Sequence, residues 1–263
     1  MRMRDEFSPA IRPEFDRLRV VLVRTRNPLN IGAAARAMSN FGFAHLRVVT
    51  PYGPAFREAR SAVGAAEVLE TAEEHDSVAE AVGDCALVVG TTAVGNREMK
   101  HPLRGLEEGA RLIGKRMEMG RVAVLFGSEK WGLSNEDLSY CHWLMRIPTR
   151  VEHRSMNLGQ AAAVVMYELG RRVGITTEGT ERPQRTRRRK EKSKEEFAEM
   201  ETVERIGKAL LEALRKSGYI AARGEVTAEE KLRRMLRRFS MQAADAEVLL
   251  GMVRKILWKL EQK

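Results

Sequence analysis

The chain has 263 residues, 43% of them hydrophobic, enough for one large α/β domain or an ordinary domain with an appendage. No apolar run approaches the roughly 18 residues of a membrane span, and the N-terminal stretch MRMRDEFSPAIRPEF is charged where a signal peptide is apolar, so a cytoplasmic protein is expected. The net charge is +10, but residues 182–194 (RPQRTRRRKEKSK) hold eight Lys/Arg against one Glu, which suits a polyanion such as nucleic acid or, as the alternative, a solvated linker.

From residue 17 to 172 short β-rich runs alternate with helical patterns. The runs are 19–24 (RVVLVR), 45–50 (HLRVVT), 85–92 (CALVVGTT), 121–127 (RVAVLFG) and 142–147 (HWLMRI). Each is nearly continuous in apolar residues, the mark of parallel strands buried on both faces. Between them FREARSAV, DSVAEAV and LEEGARLIGKRM read as helices. The fold class expected is therefore α/β, a parallel sheet with helices on both faces. Leu158, Ala161, Ala162, Val165, Met166 and Leu169 recur at helical spacing, and Gly174 ends that helix. Cys85 and Cys141 sit in or beside apolar runs without metal-ligand spacing, and are expected as buried free thiols.

After residue 174 the composition changes. A unit over 1–174, a basic linker over 175–194 and a helical extension over 195–263 are expected. The extension has no strand pattern, and its apolar positions (Val203, Ile206, Leu210, Leu214, then Leu232, Leu236, then Val253, Ile256, Leu260) fit three helices with breaks near 217–219 and 240–245. About seventy residues make a module that is marginal alone and is expected to pack on something.

Several familiar sites are absent. GARLIGKR at 109–116 matches the first seven positions of a phosphate-binding loop, but Arg116 stands where the Mg²⁺-binding hydroxyl belongs and the segment continues a helix. No G-x-G-x-x-G follows a strand, no G-x-S-x-G occurs, and no His/Cys/Asp cluster has metal spacing, so no metal is expected.

Three segments stand out instead. In NIGAAARAM (30–38), after the turn-prone TRNP, Asn30 as helix cap would turn Ile31, Ala34, Ala35 and Met38 inward. Arg36 would then leave that face and stand over Gly32 and Ala33, an open notch beside a helix N-terminus; a plain surface arginine is the other reading. LFGSEKWGLSNEDL (125–138) and IPTRVEHRSMNLGQA (147–161) each run from a strand end through an irregular loop into a helix start, where open α/β sheets hold ligands.

Together and in this order, NIGAAAR, FGSEKWGLS and IPTRVEHRSMNLGQA resemble the three signature motifs of the SPOUT RNA methyltransferases. The match is to their TrmH family, and within it to the TrmJ-type tRNA 2′-O-methyltransferases; it covers about 17–172. The resemblance implies a deep C-terminal trefoil knot, bent S-adenosylmethionine bound at it, and a homodimer whose active site is completed across the interface.

By motif position, the implied cofactor pocket has three loops: Thr91, Thr92 and Ala93; Gly127, Ser128 and Glu129 with Gly132; and Ile147, Pro148, Ser155, Met156, Asn157 and Leu158. Glu129 also reads as a helix-capping acid. Arg36 is the family's catalytic arginine by position, acting as stabiliser of an oxyanion or, helped by a phosphate, as base. Asn30 would hold the strand–helix turn and the opposing loop. Arg97, Arg154, Arg185, Arg187, Arg188, Arg189 and Lys190 are the candidates for contact with RNA. After Ala93 the chain carries Arg97 and Lys100 where the TrmJ-type pattern has closely spaced arginines, which leaves the substrate more open than the reaction. The activity implied is tRNA 2′-O-methylation of a pyrimidine nucleotide at the start of the anticodon loop. Ribosomal RNA as the substrate, or silent RNA binding, are the alternatives.

Overall fold

The structure is a computed structural model and describes residues 13–51, 64–93, 100–173, 196–220 and 225–262. Arg97 and the basic stretch with Arg185, Arg187, Arg188, Arg189 and Lys190 lie outside those residues.

Seven parallel strands form one sheet in the order β3-β2-β1-β6-β4-β7-β5. They are β1 (Leu18–Val23), β2 (Leu46–Val49), β3 (Glu73–His75), β4 (Leu87–Thr91), β5 (Leu103–Gly105), β6 (Val122–Phe126) and β7 (Trp143–Arg146). β1 and β6 lie side by side inside the sheet, with Val20 paired to Val124 and Leu22 to Phe126. Every residue of both strands is buried, which accounts for their unbroken apolar runs. Sequence reading missed β3 and β5, the two sheet edges.

The first face of the sheet is covered by α1 (Pro28–Asn40), α2 (Ala66–Glu70), α4 (Leu106–Met117) and α6 (Leu158–Val173). Ile31, Ala34, Ala35 and Met38 of α1 point inward as the spacing predicts. The cap of α1 is Asn27, however, not Asn30: the Asn27 side chain accepts the Leu29 N–H at 3.0 Å, with Pro28 at the first helical position. The notch over Gly32 and Ala33 is also less open than expected. Gly32 is buried, and α6 comes so close that a Cβ on Gly159 would lie 2.6 Å from the Ala33 Cβ.

The second face is covered by α3 (Val78–Ala81) and α5 (Asn135–Ser139) together with the C-terminal helices α7 (Met200–Lys216), α8 (Glu225–Phe239) and α9 (Ala243–Leu260). Met200, Val203, Ile206, Leu236 and Leu250 share one core with Val21, Val23, Val88 and Leu125 of the sheet. Backbone bonds moor this layer: Met200 N–H donates to the Cys85 carbonyl at 3.0 Å and Glu201 N–H to that of Gly83 at 2.9 Å. The C-terminal helices thus supply the missing apolar cover of their own sheet. Cys85 and Cys141 are buried free thiols, and burial pushes both above the usual thiol range. Among the described residues no helix is long and apolar enough to cross a membrane.

Candidate active site

A cavity of about 600 Å³ opens over the C-terminal ends of β4, β6 and β7, a volume suited to a nucleoside-sized ligand. Thr91, Thr92 and Ala93 after β4 line it; so do Gly127, Ser128, Glu129 and Gly132 after β6, and Ile147, Ser155, Met156 and Leu158 after β7. Arg154 is in the wall as well, its Nε donating to the Val151 carbonyl at 3.1 Å. Pro148 and Asn157 lie outside the lining. Sequence reasoning missed Lys100, His101, Phe126, Leu133 and, from α8, Arg234.

Each loop is held in shape by its own residues. In the second, Gly132 N–H donates to the Ser128 carbonyl at 2.8 Å and Gly132 has φ 65, the left-handed region glycine tolerates. Gly127 is needed for a different reason. A Cβ there would stand 2.1 Å from the Gly132 carbonyl carbon, so the loop closes only because no side chain intervenes. Ser134 and Asp137 then form a capping box on α5, and the buried Asp137 carboxylate also pairs with Arg24 at the end of β1.

Glu129 answers the alternative left open by the sequence. Its carboxylate accepts the backbone N–H groups of Arg26 and Asn27 at 3.3 Å each, and Asn30 Nδ2 donates to it at 2.8 Å. It therefore caps the start of α1, besides bordering the cavity. Three donors hold its pKa below the usual range although burial opposes this. Asn30 Oδ1 accepts from Asn157 Nδ2 at 2.9 Å, and Asn157 Oδ1 accepts the Gly159 N–H at 2.9 Å, capping α6. Glu129, Asn30 and Asn157 thus join the three motifs through hydrogen bonds.

Arg36 is exposed on α1, outside the cavity lining, and no described residue forms a hydrogen bond or ion pair with it. Its charge is available to another molecule. Among the described residues no group of three or more His, Cys, Asp or Glu is placed to hold a metal ion.

Residues 17–167 match the SpoU rRNA Methylase family. The chain belongs to that family. Within it, the chain is 32% identical over 240 residues to the tRNA (cytidine/uridine-2′-O-)-methyltransferase TrmJ of Yersinia pestis (strain Pestoides F), covering 91% of each. It is 41% identical over 156 residues to the tRNA (cytidine/uridine/adenosine-2′-O-)-methyltransferase TrmJ of Pseudomonas aeruginosa (strain UCBPP-PA14), covering 59% of this chain and 60% of that one. The crystal structure of TrmJ from Z. mobilis ZM4 superposes with a TM-score of 0.76 at 32% identity, over 90% of this chain and 98% of that one. The SpoU match spans all three motifs, and the similarity to the Yersinia and Z. mobilis proteins, at 91% and 90% of this chain, reaches into the C-terminal helices. The chain is a TrmJ-type methyltransferase of the SPOUT class, an enzyme that acts on RNA.

Proposed function

We propose that this SpoU-family chain is an S-adenosylmethionine-dependent tRNA ribose 2′-O-methyltransferase. Its target is a pyrimidine nucleotide at the start of the anticodon loop, and it works in the cytoplasm as a homodimer with a knotted SPOUT domain. The observation that carries this reading is the cavity walled by three motif loops, with Arg36 on the neighbouring helix unpaired among the described residues. The TrmJ names of the relatives support tRNA as the substrate class.

The residues present fit the cofactor. The cavity has the volume for it, and the side-chain-free approach of Gly127 to Gly132 lets the loop backbone stand in its wall. Ile147 and Leu158 offer apolar walls to an adenine ring, while the chain near Thr92 and Ser128 supplies polar backbone. S-adenosylmethionine, when bound, supplies an activated methyl group on sulfur. This chain must then orient the ribose and stabilise the developing alkoxide. A guanidinium is a poor proton acceptor, so Arg36 serves as an electrostatic stabiliser of the 2′-oxyanion and a clamp on the adjacent phosphate. Because Arg36 stands outside its own cavity lining, a second copy bringing its Arg36 to the first copy's cavity completes the site. Arg97, Arg154 and the basic run (Arg185, Arg187, Arg188, Arg189, Lys190) grip RNA phosphates, giving affinity without sequence choice.

The test is methyl transfer from labelled S-adenosylmethionine to unmodified bulk tRNA, mapped by nuclease digestion, for wild type and Arg36→Ala. Label on one anticodon-loop ribose, lost in the variant, is expected. Label on ribosomal RNA alone would replace tRNA as the substrate, and no transfer to either would leave an RNA-binding protein. The Pseudomonas name includes adenosine, so tRNAs differing only at the target base belong in the same assay.

A further inference from the structure

We infer that Arg234 of α8, with His101 beside it, forms an anion subsite in the methyl-donor cavity that takes the carboxylate of the donor's amino-acid end. This deepens the methyl-donor reading of the cavity and rests on it.

Arg233, Arg234 and Arg237 lie within about one turn of α8, and Arg233 and Arg237 are accounted for by docking. Arg233 donates to Ser139 Oγ at 2.9 Å and to Glu204 at 3.3 Å, and its guanidinium lies 4.2 Å from the Tyr140 ring centroid. Arg237, almost wholly buried, pairs with Glu204. Arg234 differs. Its ion pair is with Glu230 of its own helix at 3.3 Å, and no acidic group of the sheet layer meets it among the described residues. Yet its side chain is only 10% exposed, and it lies in the cavity wall. A guanidinium has five N–H donors, and one long contact leaves most of them directed elsewhere. A cation withdrawn from water without full pairing favours an anion brought to it.

His101 borders the same cavity, and its Nε2 is buried without a hydrogen-bond partner among the described residues. Burial, with Arg234 and Arg238 nearby, keeps the ring neutral. It therefore adds hydrogen-bonding capacity without a competing anion.

The chemistry of the donor selects which group goes there. Adenosine and the sulfonium carry no negative charge, and the α-carboxylate is the one anion in S-adenosylmethionine. An RNA phosphate is the other source of an anion. The carboxylate is favoured because Arg234 is recessed in the wall of a cavity of ligand size, whereas Arg36 stands exposed for a polyanion. The C-terminal layer would then contribute to cofactor affinity and not only to RNA grip, which the sequence alone gave no means to see.

The experiment is equilibrium dialysis of the full chain with S-adenosylmethionine and with its decarboxylated analogue, for wild type, Arg234→Ala and Arg234→Lys. The analogue keeps adenosine, sulfonium and amine. Wild type is expected to prefer the carboxylated ligand by about tenfold or more, the scale of a charge-assisted hydrogen bond. Arg234→Ala should bring the ratio near one, and Arg234→Lys should keep part of it. Because the ratio compares two ligands on one preparation, an unfolded fraction cancels. An unchanged ratio in Arg234→Ala overturns the subsite, as does unaltered binding of both ligands with weakened tRNA affinity, which would assign the anion to RNA. If wild type bound neither ligand, the methyl-donor reading itself would fall along with it.

Discussion

Asn157 and Asn30, 127 positions apart in the chain, share a hydrogen bond of 2.9 Å that ties the start of α6 to the first turns of α1. The same Asn30 reaches Glu129 at 2.8 Å, so one line of side chains sets the spacing of all three motif loops.

Asn157→Ala removes both the cap on α6 and the donor to Asn30, and should cost about 1–2 kcal/mol of stability. Asn157→Asp keeps the cap oxygen but sets a carboxylate against Asn30 Oδ1 near Glu129. It should retain most of the stability while methyl-donor affinity falls. Urea denaturation combined with dialysis separates the two effects. Methyl-donor affinity undiminished in the Asp variant would show that capping alone matters. In a double-mutant cycle Asn30→Ala and Asn157→Ala should be less than additive, because each already breaks their shared bond.

Gly127→Ala presses a methyl group onto the Gly132 backbone at 2.1 Å, and backbone cannot move aside as a flexible side chain can. The loop over residues 127–132 must open, costing about 1–3 kcal/mol as overpacking does, with loss of ligand binding. Gly159→Ala meets the Ala33 Cβ at 2.6 Å and should separate α1 from α6 at similar cost. Calorimetry with and without S-adenosylmethionine checks both; a ligand-induced rise in Tm in Gly127→Ala equal to that of wild type would refute the loop argument.

How much of this was legible follows from which interactions are local. β1, β4 and β6 could be read because burial on both faces writes an unbroken apolar run. β3 (EEH) and β5 (LRG) are three-residue edge strands whose side chains are mostly exposed, so no period records them. The three C-terminal helices could be read from 3.6-residue spacing, but not that their apolar stripes lie on this sheet. Asn27 and Asn30 are both able to cap, and Pro28 at the first helical position is the local signal that decides for Asn27. Most of the cavity loops followed from motif resemblance. Arg234 beside His101 joins residues 133 positions apart, a meeting that no spacing can announce.

Glu204 is the single carboxylate shared by Arg233 and Arg237, both nearly buried. Glu204→Gln leaves Arg237 without its counter-charge between α7 and α8, while Arg233 keeps Glu229 at 2.6 Å, and burial already disfavours the charged form of Arg237. The loss expected is about 3–5 kcal/mol. Replacing all three by apolar residues of similar volume should recover much of it, since the cost lies in the unpaired charge. Chemical denaturation of the single and triple variants decides; a triple variant as unstable as Glu204→Gln would show that packing is at fault.

Acid sensitivity should be dominated by two histidines. His142 is buried with Nδ1 accepting the Val88 N–H at 3.1 Å, and burial near Arg237 and Arg116 holds its pKa down to about 3. His101 is held to about 4, chiefly by burial and then by Arg234. Both folded values lie below the unfolded value of 6.5, so below that pH the unfolded chain binds more protons. Stability is therefore complete above pH 6.5 and is lost as pH falls toward 4, by about 1.4 kcal/mol per pH unit for each ring. His142→Asn places an amide oxygen where Nδ1 accepts from Val88. It should lower stability at pH 7.5 but reduce the slope between pH 6 and 5 from about two protons to about one. Urea midpoints across that range read the slope directly, and an unchanged slope in His142→Asn would mean that this ring is not one of the groups excluded from protonation by folding.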